Sequence, residues 1–138
     1  MRPEARIVLE GCDAIIHAGD IGQPEVLEEL RQIAPLTAIR GNVDKWACDM
    51  ADTAIVAVDG RRIYILHDLK ALNIDPKRAG FDVVVSGHSH KPRIAEDDGV
   101  LYVNPGSAGP RRFSLPVVLA LLTVSSEQLE AQIVNLAT

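Results

Sequence analysis

Aromatic side chains are scarce: two Phe, two Tyr and one Trp in 138 residues. A core must therefore come from Val, Ile, Leu and Ala, and the hydrophobic share of 47% is enough for one domain, residues 1–138, without covalent staples. Cysteine is scarcer. Cys12 and Cys48 form no CxxC and no zinc-type spacing, so two reduced thiols in a cytoplasmic protein are expected rather than a disulfide framework. No apolar run approaches the roughly 18 residues of a membrane span; the nearest, Leu115 to Val124, is interrupted by Pro116. Met1-Arg2-Pro3-Glu4 has none of the apolar character of a signal peptide. Basic charge is also short, 14 Lys and Arg against 19 Asp and Glu for a net −5, which speaks against nonspecific nucleic-acid binding. It leaves phosphate chemistry open, because bound cations supply local positive charge that no sequence total counts.

What is present alternates between apolar runs and polar corners. Ala14 to Ala18 reads as a buried strand ending at Gly19-Asp20. Pro24 and Glu25 open a helix whose apolar face is Val26, Leu27, Leu30 and Ile33, and Pro35 stops it. Leu36 to Arg40 is a second strand, ending at Gly41-Asn42-Val43-Asp44. This is α/β order. Ala54 to Val58 and Arg62 to Leu66, joined at Asp59-Gly60, predict a hairpin that ends at His67-Asp68. A weaker helical stretch is expected from about Leu69 to Ala79, broken at Pro76. Asp82 to Ser86 ends in Gly87-His88-Ser89-His90; Arg93 to Ala95 and Val100 to Val103 form another hairpin; Pro116 to Val124 and Leu129 to Leu136 complete the strands.

The apolar strands repeatedly end in polar residues, three of them directly after glycine: Asp20, Asn42 and His88, with His67 and His90 at corners of the same kind. Sites form where strand ends converge, and glycine lets backbone turn sharply and approach a ligand closely. Asp, Asn and His together are a mixed oxygen and nitrogen set suited to Mn²⁺, Fe²⁺, Zn²⁺ or Ni²⁺. Taken singly, Asp20 could cap the helix before Pro24, Asn42 could be a turn former, and His67 a solvated loop residue. The His88 and His90 pair is harder to read as plain turn chemistry. His17, inside a strand, reads as a core histidine supporting the site rather than a ligand. Asn104-Pro105-Gly106-Ser107 is either a tight turn or part of a pocket floor, and Arg111 with Arg112 reads as an exposed basic pair.

Taken in order, Gly19-Asp20, Gly41-Asn42-Val43-Asp44, His67, Gly87-His88-Ser89-His90 and Asn104-Pro105-Gly106-Ser107 resemble the signature of the calcineurin-like metallophosphoesterases. Within that superfamily the chain is similar to the small YfcE-like phosphodiesterases of bacteria and archaea. The resemblance implies two mixed β-sheets packed face to face with helices outside, and hydrolysis of a small phosphoester by a hydroxide activated at divalent metal, Mn²⁺ foremost. Carried over, Asp20 bridges two ions, Asn42, His67 and His88 complete one site, and His90 belongs to the other. Many relatives carry a histidine directly after the Asn as proton donor. Val43 stands there, which leaves Asp44 or a metal-bound water as candidates for the leaving-group acid.

The chain also departs from the family. Relatives begin with a strand ending in Asp-x-His, which this sequence lacks, so the first metal site retains only Asp20 and His90. We therefore expect a shortened version of an active enzyme, begun at an internal methionine and lacking the first strand. The open edge beside Ala14 to Ala18 predicts either association into a homo-oligomer or an N-terminus rearranged so that Arg6 to Leu9 fills the gap. The competing expectation is a noncatalytic scaffold on the same fold, as in a retromer subunit that resembles this family. A nuclease role is disfavoured by the acidic charge and the absence of interleaved basic and aromatic residues.

Overall fold

The computed structural model describes residues 3–21, 23–41, 44–47, 49–89, 91–106 and 118–136. Its centre is a five-stranded mixed sheet in the order β3-β4-β5-β7-β6, formed by Thr53–Val58 (β3), Arg61–Leu66 (β4), Val83–Val85 (β5), Arg93–Asp97 (β6) and Val100–Asn104 (β7). β4, β5 and β7 run parallel, and the two outer strands return antiparallel through hairpins. Both hairpins turn on Asp-Gly with the two residues at positive φ, Asp59 (48°) with Gly60 (82°) and Asp98 (53°) with Gly99 (79°), the twist that matches paired strands. Alternation sorts the side chains. Ile65, Val85 and Val103, in register, face the main core with Ile63 and Val83, while Tyr64, Val84 and Tyr102 line up on the opposite face.

Against the core face lie two separate two-stranded pairs. Ile15–His17 (β1) runs parallel to Leu36–Ala38 (β2), and Val118–Val124 (β8) antiparallel to Leu129–Asn135 (β9). Ile16, Ala120, Leu122 and Ala131 pack on the five-stranded sheet. Leu119 and Leu121 point the other way, onto Pro3–Leu9 (α1), and Ile15 meets Pro24–Ile33 (α2). This is the expected α/β arrangement of stacked sheets with helices outside. Among the described residues, no strand pairs with the second edge of β1.

Two expectations are corrected. Arg6 to Leu9 does not join a sheet: it belongs to α1, where Ala5 and Val8 pack on Leu119 and Leu136 and Leu9 also reaches the Ile15 cluster. The helix expected from Leu69 to Ala79 shrinks to a 3-10 turn over Leu69–Ala71. Asp68 caps it through the Lys70 N–H, Leu72 is already extended, and the Asp75 carboxylate takes the Arg78 N–H into a separate turn after Pro76. Local side-chain capture of backbone outcompetes a weak helical pattern there. No helix among the described residues is long and apolar enough to cross a membrane.

Candidate metal centre

The C-terminal ends of β1, β2, β4 and β5 open toward one another, and three ligand-type side chains meet there. Asp20, His67 and His88 each offer an atom such that all three lie within 4.8 Å of one another. His67 is the anchor. It is buried directly after β4, and its Nδ1 lies 2.8 Å from the Ala18 carbonyl. A carbonyl only accepts, so Nδ1 carries the hydrogen and Nε2 turns its lone pair toward the cluster. Nε2 is 3.3 Å from Asp20 Oδ2 and 3.2 Å from His88 Nδ1. A carboxylate oxygen and an imidazole lone pair at that separation repel unless a proton or a metal cation lies between them. Among the described residues this donor set, one oxygen and two nitrogens on separate strand ends, fits a divalent first-row ion.

Two of the three sit on strained backbone. Asp20 has φ 56° and His88 φ 68°, in the left-handed region that non-glycine residues adopt uncommonly, Asn, Asp and His most often among them. Such strain costs about 1–3 kcal/mol per residue and persists only where surroundings over-determine it. The surroundings here are close-packed. A Cβ at Gly19 would stand 2.6 Å from His67 Nδ1, and one at Gly41 would overlap the backbone nitrogen and carboxylate of Asp20. Asp44 is 2% exposed, and its Oδ2 accepts the Ile21 N–H at 3.0 Å and the Gly41 N–H at 2.7 Å. On the other side, the Asn104 amide donates to Gly87 O (2.9 Å) and Ser89 Oγ (3.1 Å), gripping the corner that carries His88. Asn104 thus serves both the turn, by accepting the Gly106 N–H at 3.0 Å, and the lining of one of the flanking clefts. His17 is not in the cluster; its Nδ1 accepts the Gly19 N–H at 3.3 Å, and burial pushes its pKa below the ordinary value.

Asn42 and His90, both expected as ligands, lie outside the described residues, as do Val43, Ser107, Arg111 and Arg112. Sequence reasoning passed over Asp68. Its Oδ2 is 3.9 Å from the second ring nitrogen of His88, and it lines both clefts that flank the cluster. The signal was its place directly after His67. One cleft, about 760 Å³, runs past Arg40, Lys45 and Tyr64. Arg40 is paired with Asp52 at 2.6 Å, which holds that carboxyl below the usual range. The other, about 1000 Å³, runs past Lys70, Lys91, Arg93 and Tyr102. Burial first, then Asp97, Asp75 and Asp98, push the Tyr102 hydroxyl up, so it remains a donor. The strap Leu69–Ala71 borders both, with Ala71 on the first and Leu69 and Lys70 on the second.

Residues 1–127 match the family model of the calcineurin-like phosphoesterase superfamily domain. A probable metallophosphoesterase of Methanothermobacter thermautotrophicus is 31% identical over 131 residues, covering 89% of this chain and 76% of its own. A phosphodiesterase of Methanocaldococcus jannaschii is 28% identical over 137 residues, covering 88% and 82%. Among solved structures, Vps29 of Entamoeba histolytica in complex with Zn²⁺ superposes with a TM-score of 0.75 at 19% identity, covering 99% of this chain and 91% of that one. The sequence order of the Asp, Asn and His motifs, the stacked sheets and these matches agree: the chain belongs to the calcineurin-like phosphoesterase superfamily.

Proposed function

We propose that this chain hydrolyses phosphodiesters at a divalent-metal centre held by Asp20, Asn42, His67 and His88, with His90 belonging to a second, less complete site. The observation that carries this reading is the convergence of Asp20 Oδ2, His67 Nε2 and a His88 ring nitrogen within 4.8 Å at the ends of three strands. The sequence relatives named as a metallophosphoesterase and a phosphodiesterase support it. The bound ion supplies Lewis acidity toward a phosphoryl oxygen and acidifies a water, with Mn²⁺ as our first candidate and Zn²⁺, Fe²⁺ or Ni²⁺ as others. The chain's own part is positional. The Ala18 carbonyl fixes the His67 tautomer, and the Asn104 amide fixes the His88 corner. The two clefts flanking the cluster receive the two organic arms of a diester, with Lys70 and Lys91 on one side and Lys45 on the other available to neutralise phosphate charge. A cytoplasmic setting and association through the edge of β1 that no strand among the described residues covers complete the reading.

The test is hydrolysis of bis-p-nitrophenyl phosphate by chelator-stripped protein reloaded with Mn²⁺. We expect turnover with Mn²⁺, none in EDTA, loss with His67→Ala, and metal content nearer one ion per chain than two. Hydrolysis that persists in EDTA ends the reading. Metal bound by wild type through His67 and His88 without turnover on any phosphoester favours the noncatalytic scaffold instead.

A further inference from the structure

Asp44 lies apart from the clustered ligands yet is among the most completely buried side chains of the molecule, 2% exposed. A carboxylate is not held in such a place without strong partners. One of its oxygens, Oδ2, accepts two backbone hydrogen bonds, from Ile21 at 3.0 Å and from Gly41 at 2.7 Å. These amides belong to different corners. Ile21 follows Asp20 after β1, and Gly41 follows β2. The backbone of Asp44 closes the second corner on itself, its N–H bonding Gly41 O at 3.2 Å and its carbonyl taking the Ala47 N–H at 2.9 Å. Gly41 is the residue whose missing Cβ lets this corner lie directly on Asp20 and on His67 Cε1.

We infer that Asp44 is a positioning residue, whose carboxylate ties the Asp20 corner to the Gly41 corner and so holds Asp20 in its strained conformation facing His67. Its Oδ2 is engaged by two backbone amides while the residue also borders the cleft beside Gly41 and Lys45, so bracing and proton donation are told apart by substitution. Charge-assisted bonds from backbone amides are short and strong, which suits a brace that must oppose left-handed strain at Asp20. The inference rests on reading the cluster as a metal site, and one of its tests does not.

Two substitutions separate the roles. In Asp44→Asn, the amide oxygen can stand where Oδ2 stands and accept the same two N–H groups, but the side chain can no longer act as an acid. In Asp44→Ala, no acceptor remains. If Asp44 positions, Asp44→Asn keeps Mn²⁺ affinity and kcat within about threefold of wild type. Asp44→Ala then weakens Mn²⁺ about 10- to 100-fold, the usual cost of losing a group that orients a ligand. In metal-free protein, hydrogen exchange at the Ile21 and Gly41 amides should accelerate in Asp44→Ala and stay slow in Asp44→Asn. The inference is overturned by an Asp44→Asn enzyme that keeps its Mn²⁺ and loses turnover, which is the signature of a proton donor. It is overturned equally by amide exchange at Ile21 and Gly41 that ignores Asp44→Ala. Wild-type protein that fails to bind Mn²⁺ would refute the metal reading, while the exchange data would still decide the brace.

Discussion

Four non-glycine residues among those described have positive φ, and they divide into two pairs. Asp59 and Asp98 turn the two hairpins of the large sheet; Asp20 and His88 turn the corners of the metal cluster. The backbone conformation is alike, and the surroundings are opposite. Next to Asp59, Gly60 (φ 82°) has open space where a Cβ would go. Next to Asp20, Gly19 (φ 97°) has His67 Nδ1 at 2.6 Å and the Gly41 backbone at 2.9 Å. The hairpin turn uses glycine for its dihedral angle alone. The cluster corner uses it for the angle and for space, because three chain segments must approach within contact distance for their side chains to share one point. In these two pairs, positive φ beside open space serves a turn, and positive φ packed against His67 and Gly41 serves the site.

Adding one methyl group in each place breaks or sharpens that contrast. The largest effect is expected from Gly41→Ala, whose Cβ would overlap Asp20. Overpacking of this kind costs about 1–3 kcal/mol, and displacement of Asp20 should lower Mn²⁺ affinity at least tenfold. Gly60→Ala should cost about 1–2 kcal/mol through its dihedral angle and leave Mn²⁺ affinity unchanged. Thermal melts and Mn²⁺ titrations on both variants check this, and equal loss of metal in the two would dissolve the distinction. An intermediate effect is expected from Asn104→Ala. It removes the bonds to Gly87 O and Ser89 Oγ and the acceptor for the Gly106 N–H. We expect a loss of about 1–3 kcal/mol in stability and about tenfold in Mn²⁺ affinity. Unchanged affinity would mean that the His88 corner holds itself.

The same contrast explains what the sequence shows directly. Strands were legible because short apolar runs end at polar corners, several of them beside glycine, and both Asp-Gly hairpins follow from turn chemistry alone. The convergence of Asp20, His67 and His88 was legible because each stands at the end of such a run. The 3-10 strap was not: the apolar spacing of Leu69 and Leu72 imitates a helix, and the capture of backbone by Asp68 and Asp75 that prevents it is a contest of local energies. Helix α1 was hidden because its reason is tertiary. Ala5, Val8 and Leu9 are too short a pattern to announce a helix without Leu119 and Leu136 to bury them. Asp44 and Asn104 stood within the motifs, the first as a candidate acid and the second as a turn or pocket floor, and their hydrogen bonds to backbone were not legible. A sequence shows which side chains stand at strand ends, and not which amide each of them reaches.

The smallest expected effect concerns His17, the histidine that the cluster does not use. Burial is the main influence and lowers its pKa from the ordinary 6.5; nearby Asp44 and Asp20 oppose this, and His67 adds to it. Its Nδ1 accepts the Gly19 N–H, which also favours the neutral ring. The unfolded chain therefore binds a proton at His17 more readily than the folded chain does. Stability from this group is complete above about pH 6.5 and is lost as pH falls from there toward the lower folded value. His17→Asn removes the titration while offering an oxygen where Nδ1 stood. Urea denaturation of both proteins in EDTA, from pH 8 to 5, isolates the histidine from other titrating groups. The stability of wild type relative to His17→Asn should decline as pH drops below about 6.5 and stay flat above it. A difference that is constant with pH, or that grows on acidification, would mean that His17 is not held neutral beneath the Gly19 corner.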